Sequence, residues 1–154
     1  MTITGCTLKD FAQILANLAL YWGDERLAPL HHPTFIHEFG NTAYVIREDD
    51  TISGYLFGFL SQTEPVAYTH LIGVHPEHRR RGIGRQLYTH FIAYARSQGC
   101  IGIKAITSPG NSASIAFHRR LGMVLMGSPD VDGVPVVKDY AGPGKDRVVF
   151  YRSI

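Results

Sequence analysis

Between Tyr68 and Gly99 the hydrophobic pattern changes from that of a strand to that of a helix, across one proline and two glycines. Tyr68 to Val74 is rich in β-branched and aromatic residues and runs into His75-Pro76, which reads as a strand that stops there. Beyond the loop, Ile83, Leu87, Phe91, Tyr94 and Ala95 recur at three- and four-residue spacing, with Arg85, Gln86, Thr89 and Arg96 off that face. That is an amphipathic helix, stopped by Gly99. A helix N-terminus presents amide N–H groups without intrahelical acceptors at the positive end of the aligned peptide dipoles, so anions settle there. Gly82 and Gly84 remove Cβ atoms that would hold a phosphate off, and Arg79, Arg80, Arg81 and Arg85 add positive charge. The unit reads as a cradle for a pyrophosphate.

A chain of 154 residues suffices for one domain, 1–154, with a substantial core, and leaves no room for a second. Its net charge of +2 is too mild for a nucleic-acid binder, and the arginines of the loop need only a small anion. Cys6 and Cys100 form neither a disulfide framework nor a zinc motif. No apolar run approaches bilayer length, and Met1 to Cys6 does not begin a leader, so no membrane partner and a cytoplasmic location are expected.

Taken in order, the pattern predicts a strand over Ile3–Cys6, then a helix opened by a Thr7/Asp10 capping box and closed by Gly23. Short helical turns carry His31, His32, Phe35 and His37. A hairpin follows, Ala43–Arg47 and Ile52–Ser61, then the strand and helix already described and a strand over Ile101–Thr107. Asn111 caps a second helix whose buried face is read as Ala113, Ala116, Phe117 and Leu121, ended by Gly122. Met123–Met126, Val134–Val137 and Arg147–Arg152 complete the strands. The fold class is α/β, a mixed central sheet with a right-handed strand–helix–strand crossover.

On the helix from Asn111, the i, i+3, i+4, i+7 rule places Asn111, Ser114 and His118 along one stripe. The pair of segments Val74-His75-Pro76-x-x-Arg79-x-x-Gly82-x-Gly84 and Asn111-x-x-Ser114-x-x-Phe117-His118-x-x-Leu121-Gly122 resembles the GNAT superfamily of N-acetyltransferases. Ser114, His118 and Leu87-Tyr88-Thr89-His90 are similar to its phosphinothricin acetyltransferase branch, whereas the family commonly has tyrosine at the position of His118. The resemblance implies a sheet of six to seven strands flanked by about four helices, and acetyl-CoA as acyl donor with no metal. It implies that amides of Arg79, Arg80, Arg81, Gly82, Ile83, Gly84 and Arg85 hold the pyrophosphate, and that main-chain groups of Ile72 and Val74 hold the pantetheine arm. Asn111 and Ser114 would hold the thioester end. Members are often dimers, so a homodimer is expected.

Acetyl transfer to an amine needs a base for the ammonium, a donor to the carbonyl oxygen and a proton for the departing sulfur. His70, sharing a strand face with Tyr68 and Ile72, is the candidate base, and serotonin N-acetyltransferases are similar in carrying histidines at the positions of Tyr68 and His70. Glu64 is an alternative base, the amide of Ile72 the donor, and His118 the acid, which must be protonated to serve. Trp22, His31, His32, Phe35 and Tyr140 are candidate lining residues for a small-molecule amine acceptor. A protein or peptide N-acetyltransferase and a non-catalytic acyl-CoA-binding regulator are the rival readings. His31, His32, His37, His75 and His78 show no metal-ligand spacing.

Overall fold

Thr7 and Asp10 close both ends of a capping box: Thr7 Oγ1 accepts from Asp10 N at 3.2 Å, and Asp10 Oδ2 accepts from Thr7 N at 2.9 Å. Asp10 is buried, and its charge is met by an ion pair with Arg47. The computed structural model, which describes residues 1–154, thus starts its first helix where the pattern predicts. The helix does not run unbroken to Gly23. It divides at Asn17 into α1 (Leu8–Ala16) and α2 (Leu18–Trp22). Asn17 Nδ2 donates to the Gln13 carbonyl at 2.8 Å, a side chain competing for the acceptors that would continue the helix. The break still leaves Leu18 and Tyr21 in the core.

Contacts divide the chain into two units, residues 1–59 with 69–98 and residues 60–68 with 99–154. The first holds β1 (Ile3–Gly5), α1, α2, a short α3 (Thr34–His37), β2 (Ala43–Glu48), β3 (Thr51–Leu60) up to Phe59, β4 (Val66–Val74) from Thr69, and α4 (Ile83–Ser97). Three 3₁₀ turns, Ala28–Leu30, Gly40–Thr42 and Pro76–His78, join them. The predicted hairpin is present: β2 and β3 are antiparallel, Ala43 opposite Phe57, with a bulge at Ile46/Arg47, and β1 pairs antiparallel with β2. Phe11, Ile14, Leu18, Tyr21, Phe35, Val45, Ile52, Tyr55, Phe57 and Leu71 form this unit's core. Each such side chain contributes about 1.5–3 kcal/mol by leaving water.

The second unit holds β5 (Gly102–Thr107), α5 (Ser112–Arg120), β6 (Val124–Leu125), β7 (Ser128–Pro129), β8 (Pro135–Val136) and β9 (Val148–Ser153). β9 is antiparallel to both β5, Gly102 opposite Ser153, and β6, Val124 opposite Tyr151. The strand expected at Val134–Val137 pairs with β7 in a separate two-stranded ribbon. Gly127 makes that ribbon's approach feasible, because a Cβ there would lie 2.0 Å from the Val136 carbonyl oxygen. The buried face of α5 differs from the expected one. Leu121 is buried as expected and Phe117 half-buried, but Ile115 and His118 are buried while Ala113 and Ala116 are exposed, since the larger side chains win the core positions over alanine. In hydrogen-bonded order the sheet runs β1-β2-β3-β4-β5-β9-β6, seven strands, with five α-helices where about four were expected because the first divides. No helix is long and apolar enough to cross a membrane.

Candidate active site

The loop before α4 is built from backbone of both hands. Arg80 (φ 61°) and Gly82 (φ 78°) lie in the left-handed region, and such alternation turns successive amides toward one side. Gly82 is the N-cap of α4 and makes no side-chain cap bond, and the first turn carries no acidic residue. A Cβ at Gly82 would meet nothing within 4 Å, so glycine stands here for its backbone hand and not for space. Fifteen residues of aligned peptides end at this opening.

Two of the loop arginines are braces. Arg79 donates from Nη2 to the Tyr21 carbonyl at 3.0 Å and from Nε to the Val74 carbonyl at 3.3 Å, which ties the loop to the C-terminus of α2. Arg81 donates from both terminal nitrogens to Glu48, at 2.8 and 2.6 Å, and these bonds hold the Glu48 carboxyl below its ordinary range. His78 lies with Nδ1 2.7 Å from Ser53 Oγ and Nε2 3.4 Å from Glu48. Arg80 and Arg85 are exposed. The expectation that the loop arginines add charge for a ligand therefore changes for two of them: their guanidinium groups fasten the loop. His75, Glu77 and His78 bring donor atoms within 4.8 Å of one another, and His75 Nδ1 accepts from Glu77 N at 3.3 Å within the turn.

Burial alternates along β4. Ala67, Thr69, Leu71 and Gly73 are buried; Tyr68, His70, Ile72 and Val74 are half-buried. In the first unit, the His70 ring stacks on Phe35 at 4.7 Å and 17°, and its Nε2 lies 3.2 Å from the Leu30 carbonyl oxygen. A carbonyl only accepts, so Nε2 carries the proton and the basic lone pair of the neutral ring is on Nδ1. Burial moves the His70 pKa down from its ordinary value.

The same segment corrects two expected lining residues. His31 is buried, with Nδ1 donating to the Leu27 carbonyl at 2.8 Å and Nε2 accepting from the Tyr55 hydroxyl at 2.8 Å. Phe35 is buried between His70 and Phe57. Trp22 is half-buried and donates from Nε1 to Tyr55 at 2.6 Å, and His32 is exposed, its Nδ1 accepting from Thr34 N at 3.1 Å. Their aromatic character placed His31 and Phe35 in the core, where a ring removes more apolar surface from water than it can at a wall.

In the second unit, burial pushes the Tyr68 hydroxyl up to about 12; Tyr140 raises it further and Arg147 lowers it. Arg147 was not foreseen, since in sequence it is one cation at the start of a strand. Glu64 is exposed and paired with Lys104 at 2.6 Å, a solvated ion pair rather than a base. Asn111, Ser114 and His118 do form a row. Asn111 Oδ1 caps Ser114 N at 3.1 Å, Ser114 Oγ lies 3.2 Å from His118 Nδ1, and that nitrogen donates to the Ser114 carbonyl at 2.8 Å. The His118 ring stacks on Phe150 at 4.2 Å, and burial pulls its pKa down to about 4. A ring so placed is neutral at pH 7, and its one N–H is committed to the helix. The protonated acid expected there meets a desolvated site that opposes it.

Residues 10–123 match the acetyltransferase (GNAT) family pattern. The N-alpha-acetyltransferase RimI of Mycobacterium tuberculosis is 32% identical over 131 residues, 82% of this chain and 80% of its own length. The L-amino acid N-acyltransferase MnaT of Escherichia coli is 33% identical over 89 residues, 56% of this chain and 52% of MnaT. Among solved structures, a ribosomal-protein-alanine N-acetyltransferase from Brucella melitensis superposes with a TM-score of 0.72 at 21% identity, covering 100% of both chains. The uncapped, acid-free start of α4, the loop glycine in the left-handed region and the family match agree, and the chain belongs to the GNAT family as an acetyl-CoA-dependent N-acetyltransferase.

Proposed function

We propose that the protein transfers the acetyl group of acetyl-CoA directly to the primary amine of a small molecule, with His70 as the base. The observation that carries this reading is the state of His70. It is neutral at pH 7, bonded through Nε2 to the Leu30 carbonyl, and basic at Nδ1. An alkylammonium with a pKa near 10 is almost wholly protonated at neutral pH, so a neutral imidazole within hydrogen-bond or one-water reach raises the nucleophilic fraction.

The amides from Arg79 to Arg85 would hold the pyrophosphate, because nothing caps that helix start and Gly82 leaves it open. Main-chain groups of Ile72 and Val74 would hold the pantetheine arm, and Asn111 and Ser114 the thioester end. When bound, acetyl-CoA supplies an acyl carbon activated as a thioester and a thiolate leaving group. The amide of Ile72 is the donor for the carbonyl oxygen. Tyr68 keeps its proton at neutral pH and can hydrogen-bond the departing sulfur without releasing it, whereas His118 is a packed, neutral ring. A thiol of pKa about 8.5 leaves readily as thiolate, so this donor assists and is not required. Trp22, His32 and Tyr140 are the acceptor contacts in this reading, whereas His31 and Phe35 are core residues.

The likeness to MnaT supports an amine on an amino-acid-sized molecule. The likeness to RimI, which spans more of the chain, favours a second reading, acetylation of a protein N-terminus. Release of free thiol from acetyl-CoA with amino-acid analogues, aminoglycosides, other small amines and short peptides separates them. Turnover with free amino compounds and none with peptides is the expected result; turnover confined to peptides overturns the small-molecule assignment.

A further inference from the structure

The first unit contains a chain of hydrogen bonds, buried at its centre, that ends on the turn whose last carbonyl meets the proposed base. Trp22 Nε1 donates to Tyr55 Oη at 2.6 Å, the Tyr55 hydroxyl lies 2.8 Å from His31 Nε2, and His31 Nδ1 lies 2.8 Å from the Leu27 carbonyl. Chemistry sets its direction. The Leu27 oxygen only accepts, so His31 Nδ1 donates; Nε2 of the neutral ring then accepts from Tyr55; and Tyr55 in turn accepts from the indole, which only donates. Burial holds His31 neutral by moving its pKa down, and Tyr55, wholly buried, keeps its proton for the same reason. The series clamps the 3₁₀ turn Ala28–Leu30 at its far end, where the amide of His31 also donates to the Ala28 carbonyl at 3.0 Å. The carbonyl of Leu30, the last residue of that turn, is the one that meets His70 Nε2 at 3.2 Å.

We propose that Trp22, Tyr55 and His31 are positioning residues for His70: by clamping the turn that carries the Leu30 carbonyl, they hold His70 in the Nε2–H tautomer and present Nδ1 as the proton acceptor, with Phe35 fixing the plane of the ring. The proposal rests on the reading of His70 as the base. It assigns to the aromatic and histidine-bearing early segment a role in setting the base, where a wall for the acceptor was expected. A histidine on a strand with no partner at Nε2 would exchange between two tautomers, and only one would present the same nitrogen to the acceptor. The groups facing His70 include His31 from the clamped turn and Phe35 from α3.

Tyr55→Phe removes the hydroxyl that joins the indole to His31 and keeps the ring. The test labels the full chain with ¹⁵N-histidine, assigns the His70 nitrogens by their loss in His70→Ala, and reads the tautomer in the resting protein. Wild type is expected wholly Nε2–H, and Tyr55→Phe a mixture of tautomers. In turnover, Tyr55→Phe is expected to lower kcat about 10-fold with KM for acetyl-CoA within about 2-fold, and to move the acid limb of the pH–rate profile. A Tyr55→Phe protein that melts cooperatively, keeps His70 wholly Nε2–H and retains the wild-type acid limb overturns the proposal. If Tyr55→Phe does not fold, Trp22→Phe replaces it: mixed tautomers support the clamp, and a wholly Nε2–H ring with an unmoved acid limb overturns it. Failure of the underlying reading looks different: an acid limb that survives in His70→Ala removes His70 as the base, whatever its tautomer.

Discussion

The helices α4 and α5 begin in opposite ways. α5 opens on Asn111, whose side-chain oxygen closes the first-turn amide of Ser114, so that end is already satisfied from within. α4 opens on Gly82 in the left-handed region, with no side-chain cap and no acid in its first turn, and its neighbours Arg79 and Arg81 brace the loop. Both are helix starts after a glycine-bearing turn, and in sequence they look alike. The difference teaches that an anion site is recognised by what the chain leaves undone, since an N-terminus that caps itself has nothing to offer a phosphate. The two histidines divide along the same line. Burial lowers the pKa of both, but His118 gives its N–H to its own helix and its face to Phe150, while His70 takes its carbonyl from a separate turn, leaving Nδ1 as the basic nitrogen.

Filling the open helix start should have the largest effect. Gly82→Asp puts a negative charge where none exists; no atom is in the way of its Cβ, but the left-handed backbone strains any side chain there, so Gly82→Ala is the control for strain alone. The added charge removes charge-assisted hydrogen bonds of about 1.5–3 kcal/mol each, so KM for acetyl-CoA should rise several-hundred-fold. Titration calorimetry with coenzyme A checks it, and unchanged affinity would erase the contrast between the two helices.

Next is the acid stability of the His118 site. The folded pKa of about 4 lies below the unfolded value near 6.5, so between those limits the unfolded chain binds a proton that the folded one does not. Stability contributed by the neutral ring is present above pH 6.5 and lost as pH falls toward 4, by about 3 kcal/mol. Urea midpoints measured across that range should flatten in His118→Gln, apart from the contribution of the other buried histidines.

His70→Ala should lower kcat about 100-fold, near 2.7 kcal/mol, and abolish the acid limb of the profile, which in wild type lies below pH 6.5 because burial lowers the pKa. Smallest is the closed helix start. Asn111→Ala should cost about 1 kcal/mol, a fall of about 2–4 °C in melting temperature, as the loss of one cap. A much larger fall in acetyl-CoA affinity than in stability would show that Asn111 serves the cofactor more than its helix.

Much of the architecture was legible because it follows from local pattern. The Thr7–Asp10 box, the β2–β3 hairpin, the period change into α4 and the Asn111 cap each depend on residues within a few positions of one another, and each appears where the spacing put it. The departures depend on competition at longer range. Asn17 broke the first helix by taking a backbone carbonyl, Ile115 took the core position expected of Ala116 on α5, and β8 paired with β7 instead of joining the main sheet. Site residues divide the same way. The run Arg79–Arg85 and the row Asn111–Ser114–His118 are each local in sequence, and the row forms through its own hydrogen bonds. Arg147 beside Tyr68, and Glu48 as partner of Arg81, were invisible, since nothing local distinguishes one exposed charge from another.

What this chain determines by itself is where backbone donors are left open: glycine at 82, no acid in the next turn and a helical period behind it make an uncapped helix start from local chemistry alone. Tertiary structure decided the protonation and direction of the side chains. His31 became a buried link and His118 a neutral core ring, and His70 a neutral ring whose Nε2 meets the Leu30 carbonyl, according to which carbonyls and rings met them. The physical reason is that backbone geometry answers to neighbours in sequence, whereas a pKa and a tautomer answer to desolvation and to partners that only folding brings near.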